Sequence, residues 1–100
     1  MFEVVAFHPH EKGAKKGYLD ISVPSLDWMI CGCTLFEKDG QQWIKPPERE
    51  YKDSEGKSKY APIIKMGDET RKAFSATALH ALKIFQMKEV EDELSEMLPF

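Results

Sequence analysis

The sequence predicts an α+β fold: a strongly bent antiparallel β-sheet of about five strands, followed by a C-terminal α-helix and a helical tail. Three observations predict it. A strand–turn–strand signal fills residues 28–47, a strictly alternating strand precedes it, and a helix-period apolar face begins after Asp68. The 100 residues make one domain. It divides into a sheet-plus-helix body, residues 1–86, and an acidic amphipathic extension, residues 87–100.

Residues 28–37 are apolar at nearly every position, the pattern of a central strand covered on both faces. Asp39-Gly40 supplies a hairpin turn, because both residues tolerate positive φ. Residues 41–44 return, and Pro46-Pro47 ends the pairing, since proline has no N–H to give a ladder. Upstream, residues 2–7 read as a first strand and residues 8–17 as a loop holding Lys12, Lys15 and Lys16. Residues 18–23 set Leu19, Ile21 and Val23 on one face and Tyr18, Asp20 and Ser22 on the other, as a half-buried strand does. Residues 24–27 break it.

Residues 48–59 are polar, with both charge signs and Gly56, and read as a mobile loop or a long hairpin tip. Residues 60–65 form a last strand, at an edge or a bulge because of Pro62. Asp68 is the expected N-cap of a helix. Phe74, Ala78, Ala81, Leu82 and Phe85 fall on one apolar face of that helix. A second stripe of Met87, Val90, Leu94, Met97 and Leu98 has Glu89, Glu91, Asp92, Glu93 and Glu96 around it. It extends the helix or starts another, and packs on a partner subunit or on its own domain.

The formal net charge is -3, which does not advertise nucleic acid or an anionic membrane. Residues 1–66 are balanced in charge, so the whole deficit lies in residues 67–100 and the strand-rich part is the expected home of an anion-binding surface. No apolar run approaches the ~18 residues of a membrane span. No cationic flank precedes an apolar run, so no signal peptide is expected. Two cysteines without a secretion signal fit a reducing cytoplasm, the expected location.

Cys31-Gly32-Cys33 places two sulfurs on one face of a regular strand, but the other two ligands of a structural zinc site are missing. Buried small residues are the expectation there. His8 and His10 read as surface residues and His80 as a boundary residue of the helix. No nucleophile elbow and no glycine-rich phosphate loop occurs. No enzyme activity, metal, cofactor or small-molecule substrate is expected. What remains is basic and aromatic: Lys45, Arg49, Tyr51, Lys52, Lys57, Lys59 and Tyr60, with Glu48, Glu50, Asp53 and Glu55 interleaved, and Lys12, Lys15 and Lys16 in the first loop. Cations meet phosphates and aromatic rings stack on bases. Taken alone, the alternation of signs reads as a solvated loop.

The order of Trp28-Met29-Ile30, Thr34-Leu35-Phe36, Asp39-Gly40, Trp43-Ile44, Pro47, Arg49, residues 53–56, Ala61-Pro62-Ile63 and Thr70-Arg71 resembles the SpoVG family of small bacterial septation and sporulation regulators. The likeness covers roughly residues 1–82 and is to the variants carried by phages and mobile elements. It implies a curved antiparallel sheet with a following helix, a homodimer joined through the sheet, and DNA or RNA binding near the start of the helix. Thr70 and Arg71 thereby join Lys45, Arg49, Tyr51, Lys52, Lys57 and Lys59 as candidate nucleic-acid contacts, with Trp43 also available for stacking. Three features depart from the family pattern: Asp68-Glu69 before Thr70-Arg71, Gly32 in place of an acidic residue, and the acidic C-terminal stretch. The expected function is a non-enzymatic regulatory or accessory protein that binds nucleic acid, DNA first and single-stranded DNA or RNA as further options. The alternative is a protein-interaction module of the same fold without nucleic-acid binding.

Overall fold

The computed structural model describes residues 2–97, with side chains described through residue 89. The chain is α+β: six antiparallel strands in two sheets, then one C-terminal helix. Four strands, β1 (Glu3–Lys12), β2 (Lys15–Val23), β3 (Trp28–Lys38) and β4 (Gln41–Lys45), form a meander in the order β1-β2-β3-β4. Two more, β5 (Glu48–Lys52) and β6 (Ser58–Pro62), form a separate ribbon. An α-helix, α1 (Asp68–Met97), follows.

The meander is built as its alternation dictates. Leu19, Ile21 and Val23 of β2 are all buried, and Cys33, Leu35 and Ile44 join them from β3 and β4. The helix lays Phe74, Ala78, Ala81 and Leu82 on that face, with Phe85 partly buried beside them. Phe2 meets Phe74 at 5.5 Å between ring centroids. The hydroxyl of Ser75 accepts a hydrogen bond from the backbone N–H of Ile44 at 2.9 Å, on the open edge of β4. Truncating a buried phenylalanine costs about 3–5 kcal/mol, whereas a neutral hydrogen bond contributes about 1 kcal/mol. Apolar burial therefore holds the helix down, and Ser75 fixes where along β4 it sits.

Asp39 and Gly40 both have positive φ, 53° and 79°, and close the β3–β4 hairpin with a two-residue turn. Gly17 answers a different need. A Cβ there would lie 2.7 Å from the carbonyl oxygen of His8 and 2.8 Å from the Phe7 ring. The ring of Phe7 lies over the bare Gly17 backbone, as aromatic residues do over strand glycines.

Three local features differ from the sequence expectation. Residues 8–17 are no loop: β1 and β2 run on to Lys12 and Lys15 and close a tight hairpin. Of the two expectations for residues 48–59, a mobile loop or a long hairpin tip, the hairpin is the one that forms, and these residues make most of the ribbon. Asp53 organises its turn, its Oδ1 accepting the N–H groups of Glu55 and Lys57, both at 2.9 Å. That carboxylate replaces hydrophobic patterning as the ordering force, which is how so polar a sequence forms a hairpin. Strand β6 is also shifted to Ser58–Pro62, with Ile63 N–H bonded to the carbonyl of Pro47 where the ribbon closes. At the helix start, Gly67 holds the cap position, its carbonyl accepting the N–H of Arg71, while the Asp68 carboxylate pairs with the Arg71 guanidinium instead of capping the backbone.

The helix is continuous through residues 86 and 87, so the second apolar stripe extends it. Of that stripe, Val90, Leu94, Met97 and Leu98 lie outside the residues whose side chains are described. Gly17→Ala is expected to destabilise the fold by about 1–3 kcal/mol, because the clash is partly with backbone that cannot rotate away. An unchanged denaturant midpoint would show that β1 yields at this point.

Candidate functional site

Strand β3 carries a bulge that decides which side chains share a face. Leu19 pairs with Cys33 and Ile21 with Ile30, so Asp20 alone stands opposite Cys31 and Gly32. Gly32 has φ 81°, a value that L side chains rarely adopt, and its N–H bonds to the Asp20 carboxylate at 3.0 Å. The extra residue shifts the alternation by one. Cys33 is buried in the core and Cys31 is exposed, so the two sulfurs do not share a face as the unbroken strand predicted. Burial pushes the Cys33 thiol up to about 12, with Asp20 and Cys31 adding to the rise. Among the described residues, no three His, Cys, Asp or Glu side chains converge as a metal-binding group.

Beyond the bulge, Cys33, Thr34 and Leu35 are buried in succession, which requires cover on both faces. The helix covers one. The ribbon overhangs the other, and between ribbon and meander lies a groove of about 600 Å³. Lys12 and Lys15 enter it from the first hairpin and Lys45 from the end of β4. Tyr18, Phe36 and Tyr60 supply its aromatic walls, and Glu48 and Glu50 its acidic rim.

Lys15 is the best anchored of these cations. Its Nζ donates to the Tyr18 hydroxyl at 2.9 Å and lies 5.1 Å and 5.6 Å from the ring centroids of Tyr18 and Tyr60. The hydrogen bond to Tyr18 holds the ammonium above its usual range; burial opposes it, and Glu48 adds to the rise. Lys45 Nζ stands 5.3 Å from the centroid of Phe36, which itself stacks on Trp43 at 5.6 Å and 9°. Cations and rings thus alternate along one face of the sheet, where each contact is favourable by about 0.5–1 kcal/mol.

The eight sequence candidates do not form one surface. Lys45 alone lines the groove. Arg49, Tyr51 and Lys59 share the opposite face of the ribbon, with the Arg49 guanidinium 5.8 Å from the Tyr51 ring. Lys59 sits 3.6 Å from Asp53, and Lys57 sits 3.6 Å from Glu55 in the turn. Lys52 donates to the Ser58 hydroxyl at 3.2 Å. Arg71 shares a shallow depression with Lys45, Pro46, Ile64 and Met66, and is paired with Asp68. Thr70 lies elsewhere, in an apolar depression with Phe2, Leu26, Trp28 and Ile30. Lys12 and Lys15 belonged to the basic constellation but not to the expected contacts, and Tyr18 and Phe36 belonged to neither. The alternation of β2 places Tyr18 opposite the core, and that was the available signal.

Comparison of the chain with models of protein families, with curated proteins and with solved structures finds no match.

In the native protein a thiol reagent near pH 8 is expected to label Cys31 rapidly and Cys33 only on unfolding. Equal labelling of both would contradict the bulge. Because the folded state raises the Cys33 value from 9.0 to about 12, it holds that proton more tightly than the unfolded chain. This contribution to stability is complete below pH 9 and is lost as the pH rises towards 12, while a Cys33→Ala variant should lack that part of the decline.

Proposed function

We propose that this chain is a non-enzymatic nucleic-acid-binding protein, a regulatory or accessory factor that takes DNA first and works as a homodimer. One observation carries the reading. The helix-free face of the meander gathers Lys12, Lys15 and Lys45 with aromatic rings, and none of these lysines is in a salt bridge among the described residues. Cations held in no salt bridge are available to neutralise phosphates, and neighbouring rings offer stacking surfaces. The resemblance to the SpoVG family points the same way. Unpaired strand edges would serve the dimer: the outer edge of β1, and β3 from Trp28 to Cys33, which β4 does not reach.

A second reading is favoured by a specific surface. Leu26 and Trp28 are 54% and 62% exposed at the apolar depression that holds Thr70. That patch suits a protein partner and makes no use of the lysines.

Binding of single-stranded DNA should weaken with salt, with a log–log slope of about −0.7 for each phosphate neutralised. Lys45→Ala should weaken binding and flatten that salt dependence. Absence of binding at micromolar protein in low salt would reject the nucleic-acid reading. The interaction-module reading instead expects no DNA binding; a loss of self-association in Trp28→Ala, measured by sedimentation equilibrium, is expected on both readings.

A further inference from the structure

The groove between ribbon and meander has a composition that selects among nucleic acids. Its volume, about 600 Å³, falls in the range of sites that enclose a small molecule. Its cations and carboxylates nearly cancel: Lys12, Lys15 and Lys45 face Glu48 and Glu50, leaving one net positive charge. A long polyanion laid along the surface would call for a larger excess. One phosphodiester carries one negative charge and matches it.

The aromatic rings add the second constraint. Tyr60 is 55% exposed, with Lys15 on its ring and most of its surface open. In a duplex the base faces are stacked on one another, and a protein meets only phosphates and groove edges. A ring aimed into a groove has nothing to stack on there. An unpaired nucleotide offers a bare base face and a phosphate within one unit.

Resting on the nucleic-acid reading above, we infer that this groove holds one unpaired nucleotide, its base against Tyr60 and its phosphate among Lys12, Lys15 and Lys45. Glu48 and Glu50 limit the charge the groove accepts and disfavour a second phosphate.

The test is fluorescence anisotropy with a labelled 12-mer of oligo-dT, competed by an unlabelled 12-bp duplex and by free dTMP, all at one salt concentration. The single strand should bind at least tenfold more tightly than the duplex. Tyr60→Ala should weaken it about five- to hundredfold, the span of a lost base–aromatic stack, and Lys15→Ala should weaken it as well. Glu50→Gln should tighten it about two- to fivefold, a gain that misfolding cannot produce. Competition by dTMP at its own low concentration would overturn the single-charge match, because a phosphate monoester carries about −1.5 to −2 at pH 7. Competition only by oligomers supports a nucleotide held within a strand. Duplex binding equal to single-strand binding would overturn the inference and leave nucleic-acid binding standing, as would unchanged affinity in both Tyr60→Ala and Glu50→Gln. If neither the oligomer, the duplex nor dTMP binds, both readings fall together.

Discussion

A four-stranded sheet has two faces, and one helix can cover only one of them. Most of the molecule follows from that shortage. The face under α1 takes the fully buried Leu19, Ile21 and Cys33, and the helix answers with Phe74, Ala78, Ala81 and Leu82. Two of those four helix residues are alanines, which let the helix approach closely while Phe74 and Leu82 supply the bulk. Among the described residues no second helix covers the opposite face. It is left to a polar ribbon, and the residues there are ones that tolerate partial solvent: Tyr18, Phe36, Trp43 and Lys45. A groove results because a two-stranded ribbon cannot close over a wider sheet.

The helix face was legible in full, since 3.6-residue spacing needs no knowledge of partners: every position of the expected stripe from Phe74 to Phe85 is buried or partly so. The β2 alternation and the Asp39-Gly40 turn were equally legible, being local. What was hidden was parity and proximity. Alternation predicts a shared face for Cys31 and Cys33 only while the strand is unbroken, and the bulge at Gly32 changes the parity for every residue before it. Its cause is the Asp20 carboxylate on the neighbouring strand, twelve positions away. The polar pattern of residues 48–59 left loop and hairpin both open, because Asp53, rather than an apolar pattern, orders the ribbon.

The candidate site was legible as chemistry and not as geometry. Closeness in sequence grouped Lys52, Lys57 and Lys59, yet a ribbon sends neighbours to opposite faces, and nearby acids engage them: Glu55 with Lys57, Asp53 with Lys59. Lys12, Lys15 and Lys45 are separated by up to thirty-three positions and are brought together only by the meander and the fold-back of the ribbon. Interleaved acids therefore mark a surface that settles its own charge, and the cations that remain available come from segments far apart in the chain.

The helix also sets how the particle moves through solution. Its 30 residues run about 45 Å, and they draw the molecule out to 61 × 31 × 25 Å with a radius of gyration of 15.9 Å. A compact chain of this length would have a radius near 13 Å. A rod-like monomer tumbles slowly and elutes early from a sizing column, at a volume proper to a heavier sphere. Elution position thus reads the helix as extra mass, and the number of chains per particle has to be counted by light scattering or sedimentation equilibrium.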